Sequence, residues 1–69
     1  MKKKIELKEE YIKLDQLLKA CDIVGSGGHA KIIILDGEVS VNGEVVIQRG
    51  KKIRSGDTVK VGDYEIIVE

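Results

Sequence analysis

The sequence predicts an α+β fold: an N-terminal strand, then two helices or a helix and a strand, then a small antiparallel sheet of hairpins. In the first half of the 69-residue chain, apolar residues recur at the spacing of a helix. In the second half they alternate with polar residues, and Asn-Gly and Gly-Asp pairs separate the alternating runs. The chain has no proline, linker or repeat, so we expect one domain over residues 1–69.

The first two elements follow from local periodicity. Residues Lys3 to Leu7 alternate between polar and apolar side chains, which predicts a short strand. Apolar residues then fall at i, i+3, i+4 and i+7, the pattern of a helix with one buried face: Leu14, Leu17, Leu18 and Cys21. We expect this helix over residues 10 to 21, with Glu9 and Glu10 near its positive end.

The third element has two interpretations. Ser26 is a residue typical of a helix N-cap, and Gly37 is typical of the end of a helix. Between them Ala30, Ile33 and Ile34 again have helical spacing. The β-branched residues 32 to 34 are equally typical of a buried strand, so the residue pattern alone leaves this element open.

Two hairpins are predicted in the C-terminal half. Both consist of two alternating runs around a pair of turn residues: Val39 to Val41 and Val45 to Ile47 around Asn42-Gly43, and Val59 to Val61 and Tyr64 to Val68 around Gly62-Asp63. Residues of these turn types tolerate the positive φ that tight hairpins require. Gly56-Asp57 separates the two hairpins.

Composition excludes several classes of protein. Hydrophobic residues at 42% and charged residues at 35% are ordinary for a globular chain, which argues against disorder. The longest apolar run, Ile32 to Leu35, is far shorter than the roughly 20 residues that a bilayer requires. The lysines that follow Met1 precede no apolar segment of a signal peptide, so we expect a cytoplasmic protein with no membrane contact.

The single cysteine and single histidine supply no metal-ligand set. Cys21 has no partner for an internal disulfide, and we interpret it as a small core residue. Neither His29 nor Ser26 has a convincing catalytic partner, since Ser26 is better explained as a helix cap. We therefore expect no enzyme activity and no cofactor.

Basic charge is concentrated locally although the net charge is zero. Residues 45 to 56 contain four basic residues and no acid: Arg49, Lys51, Lys52 and Arg54. Acids predominate on both sides, in residues 36 to 44 and 57 to 69. This distribution predicts a basic patch that binds a polyanion, with Asp36, Glu38, Glu44 and the acidic C-terminal third turned away from it.

The stretch GSGGHAK, residues 25 to 31, offers a choice between a nucleotide loop and the start of a helix. Gly25, Gly27 and Ala30 match the dinucleotide-binding spacing, but they follow a predicted helix rather than a strand. A P-loop is also excluded, because Ile32 follows Lys31 where serine or threonine is needed. A helix start with exposed backbone N–H groups is itself an anion site, and a flexible glycine turn is the plainer alternative.

The order of residues resembles the alpha-L RNA-binding motif, also called the S-four domain. The family pattern is matched without a gap from Leu14 to Gly43 and again from Ile53 to Val59: Lys13-Leu14-Asp15, Leu18, Ser26, Ala30, Gly37, Val39, Val41, Asn42, Gly43, Ile53, Gly56, Asp57 and Val59. The resemblance covers about residues 10 to 61. It implies that the element between Ser26 and Gly37 is a helix, packed against the first helix. The chain looks like a stand-alone version of a module usually appended to larger proteins.

Three positions depart from that pattern. Lys13 replaces an arginine, which keeps the charge but loses a planar group suited to bidentate phosphate contact. Asp22 stands where glycine is usual, and Gly27 replaces the arginine that follows the serine. Backbone N–H groups of Gly27 and Gly28, with His29 and Lys31, are expected to take over the missing contact.

By this resemblance, the helix pair and the adjoining loop form a basic face for structured RNA, ribosomal or transfer. The candidate RNA-binding residues are Lys13, Lys19, Ser26, Gly27, Gly28, His29, Lys31, Arg49, Lys51, Lys52 and Arg54. Only Tyr11 and Tyr64 could stack on unpaired bases, which favours recognition of shape and phosphates. We expect a monomer, with a ribosomal or RNA-processing protein as a further partner. The rival interpretation is a small protein-interaction module of a ribosome-associated complex that docks through its sheet edge.

Overall fold

The computed structural model describes all residues, 1–69. The elements follow one another as β1 (Lys2–Ile5), β2 (Ile12–Lys13), α1 (Leu14–Ala20), α2 (Gly27–Leu35), β3 (Val39–Val41), β4 (Glu44–Val45), β5 (Lys52–Ile53), β6 (Thr58–Val61) and β7 (Tyr64–Val68). Two helices and a mixed sheet confirm the predicted α+β class. No helix has the length and apolar character needed to cross a bilayer.

Five strands form one sheet in the order β1-β7-β6-β3-β4. The predicted hairpins are its antiparallel part, with β3 paired to β4 and β6 paired to β7. The N-terminal strand β1 joins the far edge beside β7 and runs parallel to it, from Lys2 opposite Glu65 to Ile5 opposite Val68. Strands β2 and β5 form a separate antiparallel ribbon that the sequence pattern did not predict.

The first helix is shorter than predicted. Helix α1 begins at Leu14 rather than at residue 10, because Lys13 is extended, with ψ of 145°, and belongs to β2. The backbone N–H groups of Leu14 and Asp15 donate to the carbonyls of Lys51 and Arg49 instead of to a side-chain cap. Glu9 and Glu10 therefore lie outside the first turn, and pairing with a distant segment decides where the helix starts.

The second helix agrees with the prediction. Ser26 is extended at the N-cap, and its hydroxyl accepts a hydrogen bond from the His29 N–H at 3.2 Å. After Leu35 the chain leaves the helix through Gly37, whose φ of 78° lies in the left-handed region. The predicted buried positions Ala30 and Ile34 are fully buried, so the element that the residue pattern left open is a helix.

Three positive φ values explain turn residues in the sequence. Asn42 and Gly43 have φ of 51° and 88°, as a two-residue type I′ hairpin turn requires. Asp22, which follows α1, has φ of 58°. Glycine adopts this left-handed conformation most easily, and this explains why the S-four pattern usually has glycine at this position.

One apolar core lies between the helix pair and the inner face of the sheet. The predicted stripe of α1 is buried as expected, with Leu14, Leu17 and Leu18 fully inaccessible and Cys21 9% exposed. The sheet contributes mainly valine and isoleucine at alternating positions: Val39, Val41, Val59, Val61, Ile66 and Val68. Burial raises the pKa of the Cys21 thiol, which is consistent with a core role for this residue.

Candidate nucleic-acid interface

Two lysines stand directly opposite each other at the start of α1. In the β2–β5 ribbon, Lys13 is the register partner of Lys52, and both side chains are exposed. The hydrogen bonds from Leu14 and Asp15 to the carbonyls of Lys51 and Arg49, at 2.9 and 3.1 Å, hold the same segment against the helix start. We call Lys13, Arg49, Lys51 and Lys52 the basic cluster.

Lys52 also contacts an aromatic ring that the sequence did not single out for this site. Its ammonium nitrogen lies 4.9 Å from the centre of the Tyr11 ring, a cation–π geometry. Such a contact contributes about 0.5–1 kcal/mol at an exposed site and restricts the lysine side chain. Tyr11 therefore helps to hold the Lys52 ammonium in place.

A network of hydrogen bonds fixes the turn that carries Arg54. The side-chain amide of Asn42 donates to Asp57 Oδ1 at 3.0 Å, and Asp57 Oδ2 accepts from the Arg54 N–H at 2.8 Å. Asn42 Oδ1 accepts in turn from the Thr58 N–H at 3.0 Å. The Asn42-Gly43 and Gly56-Asp57 motifs of the sequence thus meet in space. Together they position the C-terminal end of the segment Arg49 to Arg54, which we call the basic loop.

The same network stabilises the charged form of Asp57. Partial burial raises the pKa of this carboxyl, but the hydrogen bonds from the Arg54 N–H and the Asn42 amide lower it. The positive charges of Lys51 and Arg54 lower it further. The net result is a pKa below the usual value for aspartate, so Asp57 remains ionised beside the basic loop.

Acids and bases that are separated along the sequence share one groove in the structure. Lys51, Lys52 and Arg54 line this groove together with Asn42, Glu44, Ser55 and Asp57. The expectation that Glu44 and the C-terminal acids lie away from the basic residues is therefore wrong for Glu44 and Asp57. The reason is the Asn42-Gly43 turn, which folds β4 back beside the loop that ends at Asp57.

The start of α2 is open to approach from outside. A Cβ atom added to Gly25 or Gly27 would meet nothing within 4 Å, and one added to Gly28 would meet only Ser26 Oγ, at 3.9 Å. Ser26 satisfies one of the N–H groups that a helix start leaves without an intrahelical partner. His29 and Lys31 are exposed beside it.

The structure brings together only part of the predicted set. The basic cluster is contiguous, and Arg54 lies in the adjoining groove. Lys19 lies in the last turn of α1, roughly 9 Å along the helix from Lys13. No hydrogen bond joins the segment Ser26 to Lys31 to the segment Arg49 to Arg54.

The cations of the candidate set are available to an external ligand. All of them are exposed, and none of the side-chain hydrogen bonds uses their ammonium or guanidinium groups. No group of three or more His, Cys, Asp or Glu side chains is arranged to hold a metal ion. The arrangement offers positive charges and backbone donors to an anionic ligand.

A helix pair on a small mixed sheet, with exposed cations gathered at the start of the first helix, defines a small α+β binding domain. The family model of the S4 domain matches residues 5–69, and the chain belongs to this family. The chain is also 38% identical over 66 residues to the "Probable ribosome maturation protein RlbA" of Bacillus subtilis (strain 168), an alignment that covers 91% of this chain and 93% of that protein. The resemblance to the alpha-L RNA-binding motif is therefore confirmed.

Proposed function

We propose that the chain binds structured RNA, ribosomal or transfer, through a basic face, without catalysis. Membership of the S4 family supports an RNA-binding role, and similarity to a protein named for ribosome maturation supports a ribosome-associated one. We propose further that residues 1–69 act in the cytoplasm as one monomeric domain. The basic face consists of the basic cluster, Arg54 and the start of α2.

The pairing of Lys13 with Lys52 carries this proposal. Like charges placed directly opposite each other in an antiparallel pair are destabilising, by roughly 0.2–1 kcal/mol. The contact of Lys52 with Tyr11 offsets part of this cost but does not account for a lysine at position 13. A phosphate between the two ammonium groups would be attracted by both. The neighbouring Lys51 and Arg49 would add further phosphate contacts on the same side of α1.

The distribution of aromatic rings favours folded RNA over unpaired strands. Tyr11 is engaged by Lys52, and Tyr64 lies in β7, on the sheet rather than in the basic cluster. Stacking of successive unpaired bases needs free aromatic faces, which this surface does not offer. Contacts to phosphates and 2′-hydroxyls, which a folded RNA presents in a fixed arrangement, suit lysine and arginine side chains.

The opposing effects of one substitution on stability and binding test the proposal. Lys13→Gln removes the repulsion from Lys52, so the free energy of unfolding should stay unchanged or rise by about 0.2–1 kcal/mol. Affinity for a folded RNA hairpin should fall, and the slope of log K against log salt should become shallower by about 0.7–0.9. Lys4→Gln, which removes an exposed charge from β1, is the matched control and should leave binding unchanged. Equal binding by both variants would contradict the proposed site.

A further inference from the structure

Exposed apolar side chains gather near the end of α2 and beside β4. Four large ones are more than half exposed: Ile32 60%, Leu35 56%, Val45 64% and Ile47 58%. Ile32 and Leu35 are three residues apart on α2 and so lie on one side of the helix. Val45 lies beside the turn that follows α2, since a Cβ atom added to Gly37 would stand 3.7 Å from Val45 Cγ1.

Strand β4 forms an edge of the five-stranded sheet. It pairs with β3 on one side only, through Ser40 opposite Val45 and Val41 opposite Glu44. An edge strand presents backbone N–H and C=O groups to a further strand, and extended peptides use such edges as docking sites. Beside this edge, Val45 and Ile47 offer apolar contacts to alternate residues of an added strand.

The charged residues next to Leu35 and Val45 along the chain are mainly acidic. Two sets of bases lie close by: Lys31 is one turn before Leu35, and Lys51, Lys52 and Arg54 share a groove with Glu44. Asp36, Glu38 and Glu44 are exposed at the end of α2, before β3 and in β4, and no basic residue occurs between Lys31 and Arg49. Asp36 and Glu38, which lie outside that groove, would repel a polyanion such as RNA. A second copy of this chain would bring like charges together, which also disfavours self-association through this face.

We propose that this surface binds an extended segment of another protein that carries alternating apolar and basic side chains and adds a strand to β4. We call it the α2–β4 face: Ile32, Leu35, Val45 and Ile47 with Asp36, Glu38 and Glu44. The apolar residues of the segment cover Leu35 and Val45, and its lysines or arginines pair with the surrounding carboxylates. This function is additional to RNA binding and uses none of the residues of the basic cluster.

Selection from a library of random twelve-residue displayed peptides tests the proposal with a defined probe. The full chain is the target, and Leu35→Ser/Val45→Thr, which removes apolar contacts at exposed positions, is the counter-target. Enriched peptides should contain more lysine and arginine than aspartate and glutamate, and they should bind the variant at least tenfold more weakly. Lys2→Ala/Lys4→Ala, which removes two exposed charges from the opposite edge strand β1, should bind them as the parent chain does. No enrichment over the counter-target, or enrichment of peptides without a basic excess, would overturn the proposal.

Two further measurements separate the outcomes. Amide chemical shifts of the chain should change at Val45 and Ile47 when an enriched peptide is added. The Val46 N–H donates inward to the Val39 carbonyl, so the residues on either side of it face the open edge. If sedimentation shows instead that the chain forms dimers that Leu35→Ser/Val45→Thr dissociates, the face binds a second copy and the proposal is wrong. RNA affinity of this variant should equal that of the parent chain, so loss of peptide binding and loss of RNA binding are distinguishable.

Discussion

The side-chain amide of Asn42 donates to the carboxylate of Asp57 at 3.0 Å, across the groove between the first hairpin turn and the end of the basic loop. The two residues are 15 positions apart in the sequence. Each also binds backbone on the other side, because Asn42 accepts from Thr58 N–H and Asp57 accepts from Arg54 N–H. The Asn42-Gly43 and Gly56-Asp57 motifs therefore belong to one hydrogen-bond network, which holds the end of the loop from Lys51 to Arg54.

Two substitutions of Asn42 distinguish the contribution of its side-chain hydrogen bonds to stability from that of its positive φ. We expect Asn42→Gly, which suits a φ of 51°, to lower the free energy of unfolding by about 1–2 kcal/mol through lost hydrogen bonds. Asn42→Ala should lower it by about 1 kcal/mol more, because alanine tolerates positive φ poorly. Urea unfolding measures both values. Equal stability of Asn42→Gly and the parent chain would mean that the hydrogen bonds contribute nothing.

Asp57 should make stability depend on pH in the acid range. Its pKa in the folded chain lies below the value of about 3.9 expected when unfolded, so its contribution is complete at neutral pH and is lost as pH falls through and below 4. We therefore expect the stability difference between the parent chain and Asp57→Asn to shrink between pH 6 and pH 3. A constant difference over this range, measured by urea unfolding, would contradict the proposed role of the carboxylate charge.

Removal of two charges from the basic cluster should weaken the salt dependence of RNA binding. In Lys51→Ala/Lys52→Ala we expect the slope of log K against log salt to become shallower by up to about 1.5, the effect of two lost phosphate contacts. The fold should persist, since both side chains are exposed and only the Tyr11 contact of Lys52 is lost.

The matched control is Lys2→Ala/Lys4→Ala, which removes the same charge from exposed positions of β1. This strand lies at the edge of the sheet opposite β4. The control should keep the parent slope, whereas equal changes in both double variants would show that only the net charge of the chain matters.

The start of α2 can be tested by a charge placed beside its backbone donors. Gly28→Glu should weaken RNA binding through repulsion of phosphate, while an acid in the first turn should leave the helix as stable or more stable. The space around Gly28 accepts a side chain, so the variant should fold. Gly28→Gln is the neutral control of equal size. If both variants bind RNA as the parent chain does, the helix start is not part of the basic face.

The elements that local chemistry determines could be predicted from the sequence. Ser26 as the cap of α2, Gly37 as its stop and the Asn42-Gly43 turn are local features, and the structure has each of them. The predicted start of α1 is wrong, because this start depends on Lys51 and Arg49, which lie more than 30 residues away in the chain. The parallel pairing of β1 with β7 is a long-range choice of the same kind.

In the candidate site, too, local features could be predicted from the sequence and long-range contacts could not. Sequence reasoning identified the basic residues by their concentration in the segment Arg49 to Arg54, but it could not show that Lys52 faces Lys13. The sequence identifies Tyr11 only as one of two aromatic residues, whereas in the structure its ring contacts Lys52. The position of Glu44 in the groove follows from hairpin geometry, which charge counts along a sequence do not contain.

The most direct test of the basic face is the affinity for a folded RNA hairpin and for an unstructured strand of equal length, measured by fluorescence anisotropy over a range of salt concentrations. If about four phosphates are neutralised, log K for the hairpin should fall against log salt with a slope of about −3. Binding to the hairpin should also be tighter than binding to the strand at every salt concentration. Affinity that does not change with salt, or equal affinity for both RNAs, would contradict the account.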